Sequence, residues 1–96
     1  MTYIFHPLAA KELEEELAHY LSVGPDLAIR FLNEVESAID RILAYPNAWQ
    51  KLRRNIRRCR LKHFEYGLVY KIVDSEAVIL AVMHLRRDPE YWVSRA

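Results

Sequence analysis

Apolar positions recur with helical spacing in two segments of the first half of the chain. The clearer segment is Asp26 to Ala44, in which one apolar stripe follows the i, i+3, i+4, i+7 pattern (Ala28, Phe31, Leu32, Val35, Ala38, Ile39 and Ile42). Leu8 to about Ser22 repeats the pattern, and its glutamates lie near the N-terminal half, where the helix dipole favours negative charge. Only residues 22–25 separate the segments. The pattern therefore predicts an antiparallel helical hairpin with an apolar face.

Strand patterns occupy the N-terminus and the second half of the chain. Tyr3 to Phe5 is a short aromatic and β-branched run that precedes the helix-opening Pro7. Three further strands are predicted, at Ile56 to Phe64, Tyr66 to Val73 and Ala77 to His84. The last two form a hairpin through Asp74, Ser75 and Glu76, whereas YPNAWQ, before the first, is predicted to be a loop. The elements predict an α+β fold with about four strands.

The strand that contains AVILAVM is apolar on both of its faces, which is typical of a central strand covered on both sides. One helical hairpin covers only one face of a sheet. The other face is then either partly closed by the C-terminal segment DPEYWVSRA or left as an apolar surface for a partner.

Length and composition indicate one domain, residues 1–96, that needs no metal or disulfide to fold. The chain has one cysteine, Cys59, and the lack of a disulfide framework fits a reducing compartment. No segment approaches the ~20 apolar residues that span a bilayer, and the N-terminus lacks a signal-peptide pattern. We therefore expect a cytoplasmic protein without a membrane partner.

Charge is distributed unevenly although the formal net charge is only +1. Residues 8–50 hold three basic and eight acidic side chains, a balance of −5, whereas residues 51–71 hold eight basic and one acidic, a balance of +7. Six of the ten residues from Arg53 to Lys62 are basic and none is acidic. This region is therefore expected to attract a polyanion or an acidic protein.

Strict alternation in the first of the three strands places Arg58, Arg60 and Lys62 on one face of the sheet. With Arg53 and Arg54 from the preceding loop, they are predicted to form a cationic ridge that holds phosphates or acidic side chains. The structural alternative is a charged edge strand that prevents sheet-to-sheet pairing. We favour binding because unneutralised like charge destabilises a fold unless a ligand relieves it.

A second basic cluster lies in HLRRDPEYW, where the central strand ends. Arg86 and Arg87 are candidates for phosphate binding, and Tyr91 for target contact. The alternative for Tyr91 and Trp92 is that both rings pack over the sheet, which we prefer for the aromatic residues.

Established motif classes are absent. The four histidines and Cys59 show no metal-ligand spacing, so no metal site is expected. The sequence contains no Gly-rich phosphate loop and no nucleophile elbow, and no cofactor is expected. Tyr45 and Trp49 flank a proline turn and are expected to pack at the helix exit.

The succession of PLAAKELEEELAHY, LAIRFLNEVESAIDRILAYP, IRRCRLKHFEYGLVYKI and AVMHLRRDPEYW resembles the RelE/ParE superfamily of toxins from type II toxin-antitoxin modules of the plasmid stabilisation type. The resemblance covers nearly the whole chain. It implies a helical hairpin packed on a twisted antiparallel sheet, and a cognate antitoxin that wraps the toxin by coupled folding and covers its charged and apolar surfaces.

The superfamily divides by mechanism, and the resemblance implies two branches. RelE-like members are mRNA interferases that cut message on the ribosome. Their two second-strand basic positions correspond to Arg58 and Arg60, and the arginine after the fourth strand to Arg87. Their third-strand arginine corresponds to Gly67, however, and their C-terminal tyrosine to a position near Val93, although a shifted register would bring in Tyr91.

ParE-like members inhibit DNA gyrase and need a binding surface instead of a nuclease site. The missing catalytic groups favour this branch. If the protein does cleave RNA, it is expected to be a metal-independent endoribonuclease with His84 as general base, while Arg60 and Arg87 hold the scissile phosphate. A third alternative is an interaction module that has kept the fold and lost the activity.

Overall fold

The computed structural model describes all 96 residues, which form two α-helices and a five-stranded sheet. The elements are β1 (Thr2–Phe5), α1 (Pro7–Val23), α2 (Pro25–Ala44), β2 (Gln50–Arg53), β3 (Ile56–Arg60), β4 (Tyr66–Val73), β5 (Glu76–His84) and a terminal 3₁₀ turn (Val93–Arg95). Each helix begins at a proline, whose fixed φ suits the first turn. Neither helix combines the length and apolarity needed to cross a membrane.

The helical hairpin packs on one face of the sheet, called here the inner face. Phe31, Val35 and Ile42 of α2 are almost completely buried against Leu68, Tyr70 and Ile79 of the sheet, together with other apolar side chains. The rings of Tyr20, Phe31, Phe64 and Tyr66 join the hairpin to β4, with centroids 4.9–6.5 Å apart. The predicted stripe of α2 is confirmed except at Leu32, which is 37% exposed.

The strand order is β1-β5-β4-β3-β2, and the sheet is mixed. β2 to β5 pair antiparallel, as expected, but β1 runs parallel to β5. The predicted count of about four strands is close, but it omits β2. This short strand follows the YPNAWQ loop and pairs with β3 through Gln50↔Arg58 and Lys51↔Arg57.

β3 ends at Arg60, four residues before the predicted end at Phe64. The carboxylate of Glu34, from α2, accepts hydrogen bonds from the backbone N–H groups of Lys62 and His63 and contacts the His63 ring at 2.8 Å. Burial raises the pKa of Glu34, but these hydrogen bonds outweigh it and the pKa lies below its ordinary value. The helix therefore takes the backbone donors that a longer strand would use.

The outer face of the sheet is closed by the C-terminal segment, which answers the question left open by the apolar pattern of β5. Trp92 is 1% exposed and packs on Ile56, Val69, Leu80, Ala81 and Met83. Tyr91 packs beside it, as preferred from the sequence for both rings.

An ion pair between Glu12 and Arg95 anchors the C-terminal segment where β5 extends beyond β1. The guanidinium donates to both carboxylate oxygens of Glu12, at 3.0 and 3.1 Å, and to the carbonyl of Leu80 at 3.0 Å. Glu12 also accepts from the backbone N–H of Val82 at 3.0 Å. The Arg95 side chain is only 10% exposed and the Glu12 side chain only 13%. The pair thus supplies hydrogen-bond partners to backbone groups of β5 on the side where β1 has ended.

The Glu12–Arg95 pair is expected to stabilise the fold, because removing one charge leaves its partner buried and unpaired. Glu12→Gln should lower the free energy of unfolding by about 2–3 kcal/mol, measured by urea denaturation. Glu14→Gln changes an exposed carboxylate of the same helix and should alter the value by less than about 0.5 kcal/mol. Equal effects of the two variants would contradict a specific role for Glu12.

The β4–β5 hairpin closes through two residues, Asp74 and Ser75, with φ of 50° and 63°. Both lie in the left-handed region that a type I′ turn requires and that glycine adopts at lower cost. Ser75→Gly should therefore raise the free energy of unfolding by about 0.5–1 kcal/mol, read from the urea midpoint. The matched change Ser22→Gly lies within α1 and should lower stability instead.

Candidate functional site

A basic pocket of about 410 Å³ opens beside the part of β3 that β2 does not cover. Its walls are built by four cationic side chains and two further residues from α2, the following loop, β2, β3 and the turn after β3 (Arg41, Trp49, Gln50, Arg58, Arg60 and Lys62). The sequence predicted that Arg58, Arg60 and Lys62 share a face, and the structure brings these three side chains to one cavity. No carboxylate lines it.

Arg41 and Trp49 shape the wall of the basic pocket where α2 ends. Beyond β2, the carbonyl of Arg60 has no strand partner and accepts a hydrogen bond from Arg41 Nη2 at 2.9 Å. Trp49 Nε1 donates to the carbonyl of Arg41 at 3.1 Å, and the Arg41 guanidinium lies 5.8 Å from the Trp49 ring centroid. The helix end, the loop and the strand are therefore tied together around the cavity.

Two inner-face side chains hold the loop that carries Trp49. Arg57 donates to the carbonyl of Trp49 at 2.9 Å, and the Tyr70 hydroxyl donates to the carbonyl of Pro46. Burial raises the pKa of Tyr70 to about 12, so the hydroxyl remains a donor at neutral pH. Arg57, although part of the basic run, thus has a structural role.

The cations of the basic pocket are not neutralised within the protein. Arg41, Arg58, Arg60 and Lys62 form no ion pair with a carboxylate. Burial, and then the charge of Arg60, lower the pKa of Arg58, the direction expected when a cation is desolvated beside another. The four cations that line the cavity are therefore available to an oxyanion.

Gly67 makes room for Arg58. A Cβ atom added at Gly67 would lie 2.8 Å from Arg58 Cγ and 2.9 Å from Cδ, closer than real contacts allow. The side chain of Arg58 thus crosses the strand face where Gly67 has none, and its guanidinium donates to Gln50 Oε1 at 2.8 Å. The φ of Gly67 is not positive, so glycine is needed here for the space that it leaves and not for its backbone conformation.

Other predicted site residues lie outside the basic pocket, and several are paired. Arg53 pairs with Glu90 at 2.6 Å, Arg86 with Glu65 at 3.5 Å and Arg87 with Glu12 at 3.6 Å. Arg54 is exposed in the turn after β2 and lines neither cavity. The protein's own carboxylates therefore pair with three of these four predicted site arginines.

His84 and Arg87 line a second cavity, of about 180 Å³, together with Glu12, Glu15 and Glu16. His84 faces the inner side of the sheet, where its ring meets Tyr66 edge-on at 5.0 Å, while Arg60 alternates to the outer side. The three residues proposed for RNA cleavage, Arg60, His84 and Arg87, are therefore divided between two cavities.

Tyr91 is held against two guanidinium groups at the C-terminal segment. The carbon atoms at the centres of the Arg87 and Arg95 guanidinium groups lie 3.6 and 5.0 Å from its ring centroid. Burial and the Glu12 charge raise the pKa of Tyr91, so it is a poor general base at neutral pH.

Sequence reasoning missed Arg41, Trp49 and Gln50. The sequence pattern indicates only that Arg41 is a polar residue off the apolar stripe and that Gln50 belongs to a loop. Trp49 does pack at the helix exit and also lines the pocket, whereas Tyr45, predicted to pack there too, is 66% exposed. The only available signal was a cation in the last helical turn, where the dipole favours it.

A side chain added at Gly67 is expected to destabilise the fold, because Arg58 approaches this position closely. Gly67→Ala should force Arg58 to move and lower the free energy of unfolding by about 1–3 kcal/mol. Gly24→Ala is the matched control, because its Cβ meets nothing within 4 Å and its φ of 179° suits any residue. Adding Arg58→Ala to Gly67→Ala should remove most of the loss in a double-mutant cycle; additive losses would contradict the contact.

Comparison with known proteins agrees with this architecture. The family profile described as ParE toxin of type II toxin-antitoxin system, parDE, matches residues 3–89. A solved structure titled chromosomal ParDE TA system from P. aeruginosa superposes with a TM-score of 0.76 and 18% sequence identity, covering 90% of this chain and 97% of that one. No curated protein matches the sequence. The chain belongs to the ParE toxin family of type II toxin-antitoxin systems.

Proposed function

We propose that this ParE family toxin arrests growth by inhibiting DNA gyrase and that a cognate antitoxin neutralises it, both in the cytoplasm. The observation that carries the proposal is the basic pocket: a preformed surface of unpaired cations without a catalytic group beside it. Inhibition of an enzyme by binding needs such a surface and no reaction chemistry of its own.

The alternative of RNA cleavage is less well supported by the pocket. General acid-base catalysis needs a group that titrates near working pH within hydrogen-bond reach of the reacting atoms. The lining consists of arginine, lysine, glutamine and tryptophan side chains and contains no histidine, carboxylate or tyrosine. His84, the candidate base, belongs to the second cavity on the inner side of the sheet.

The antitoxin is proposed to cover the basic pocket with acidic side chains. Four cations without a carboxylate repel one another, so an acidic segment that binds there relieves repulsion as it folds. Apolar side chains exposed on β1 and at the start of α1, Tyr3, Ile4 and Leu8, offer further contact area.

The target is tested with purified toxin and two assays. We expect the toxin to inhibit supercoiling by gyrase, and its overexpression in bacteria to cause filamentation and DNA-damage induction. The same preparation is incubated with ribosome-bound message. Message cleavage without gyrase inhibition would assign the mRNA interferase activity instead, and unimpaired growth with neither effect would assign an inactive interaction module.

The role of the basic pocket is tested by charge reversal at Arg60, whose side chain is exposed and has no ion-pair partner. Arg60→Glu should abolish growth arrest and reduce gyrase inhibition by more than about tenfold, while the thermal midpoint stays near that of the parent. Arg30→Glu makes the same charge change on the exposed surface of α2 and should leave inhibition unchanged. A large fall in the midpoint for Arg60→Glu would show a structural role.

A further inference from the structure

The basic pocket has the size and charge of a site for a small polyanion. Its volume of about 410 Å³ lies in the range typical of small-molecule sites, roughly 300–1,000 Å³. A single carboxylate from a protein partner would offset only one of the four positive charges that line it. A nucleoside di- or triphosphate carries several negative charges on adjacent groups and matches the cluster more closely.

Two of the four cations of the basic pocket are held before any ligand arrives. Arg41 is fixed by the carbonyl of Arg60, and Arg58 by the side-chain oxygen of Gln50. Guanidinium groups that are already fixed suit phosphate oxygens, because little side-chain entropy remains to be lost on binding.

Trp49 supplies the one apolar wall of the pocket. Its indole N–H is engaged by the carbonyl of Arg41 and its backbone carbonyl by Arg57, so the position of the ring is fixed from both ends. An aromatic ring beside guanidinium groups is a common arrangement for nucleotides, in which the base stacks on the ring and the phosphates meet the cations.

We infer that the basic pocket binds the phosphate groups of a nucleotide, with the base against Trp49. The ligand chemistry is shared by a free nucleotide and by a nucleotide within a single strand, and the experiment below separates these two sources. The inference does not depend on gyrase, since it concerns what the isolated toxin binds.

The test uses the purified full-length toxin with ATP, inorganic pyrophosphate and a short single-stranded oligodeoxynucleotide as probes. Isothermal titration calorimetry measures affinity. Tryptophan fluorescence reports the pocket directly, because Trp92, the other tryptophan, belongs to the C-terminal segment and is buried against the outer face of the sheet. We expect ATP to bind more tightly than pyrophosphate and to change the emission of the parent but not of Trp49→Phe.

Two pocket variants and one control decide specificity. Arg60→Gln and Arg58→Gln should each weaken ATP binding by about tenfold or more, whereas Arg30→Gln, which removes the same charge elsewhere, should change it by less than about twofold. Arg60 is exposed, so its variant is expected to fold, and the thermal midpoint verifies this.

The outcomes are distinct. Binding of ATP and pyrophosphate without binding of the oligonucleotide assigns a free nucleotide; an oligonucleotide that ATP displaces assigns a strand phosphate. Failure of every phosphate probe at millimolar concentration overturns the inference, and so does an equal loss in Arg30→Gln and Arg60→Gln. Because the assay contains no gyrase, gyrase inhibition without phosphate binding would refute this inference and leave the proposed function standing.

Discussion

Backbone groups at a strand edge need hydrogen-bond partners, and this requirement shapes both ends of the sheet. β5 extends beyond β1, and there Glu12 accepts from Val82 while Arg95 donates to Leu80. β3 extends beyond β2, and there Arg41 donates to the carbonyl of Arg60. At the first edge the side chains pair with each other and secure the C-terminal segment. At the second, a cation without a carboxylate partner completes the edge, and the basic pocket results.

The helices and the three long strands were predictable because each has a local period. The stripe of α2 and the alternation around Cys59 depend only on spacing along the chain, and the structure follows both. The misses come from contacts between distant segments. β2 is a strand only because β3 lies beside it, and β3 stops early because Glu34 takes the backbone donors of Lys62 and His63. β1 pairs in parallel with β5, the strand farthest from it along the chain.

The candidate site was likewise predictable where local geometry decides it and not where distant segments meet. Alternation placed Arg58 and Arg60 together, because a strand's own geometry decides which side chains share a face. Nothing local places Arg41 or Trp49 near them; their position follows from a loop held by Arg57 and Tyr70. Spacing also could not predict that Arg60 and His84 lie in different cavities, because this depends on which face each strand turns towards the helices.

Gly67 determines the course of the Arg58 side chain into the basic pocket. Arg58 crosses above Gly67 on its way to Gln50, and even a methyl group at this position would collide with its Cγ and Cδ atoms. A long side chain at position 67 and the present course of Arg58 are therefore mutually exclusive. The lack of a side chain at position 67 lets Arg58 lie along the sheet and line the basic pocket. A single glycine in β4 and the place of Arg58 among the unpaired cations therefore have one physical cause.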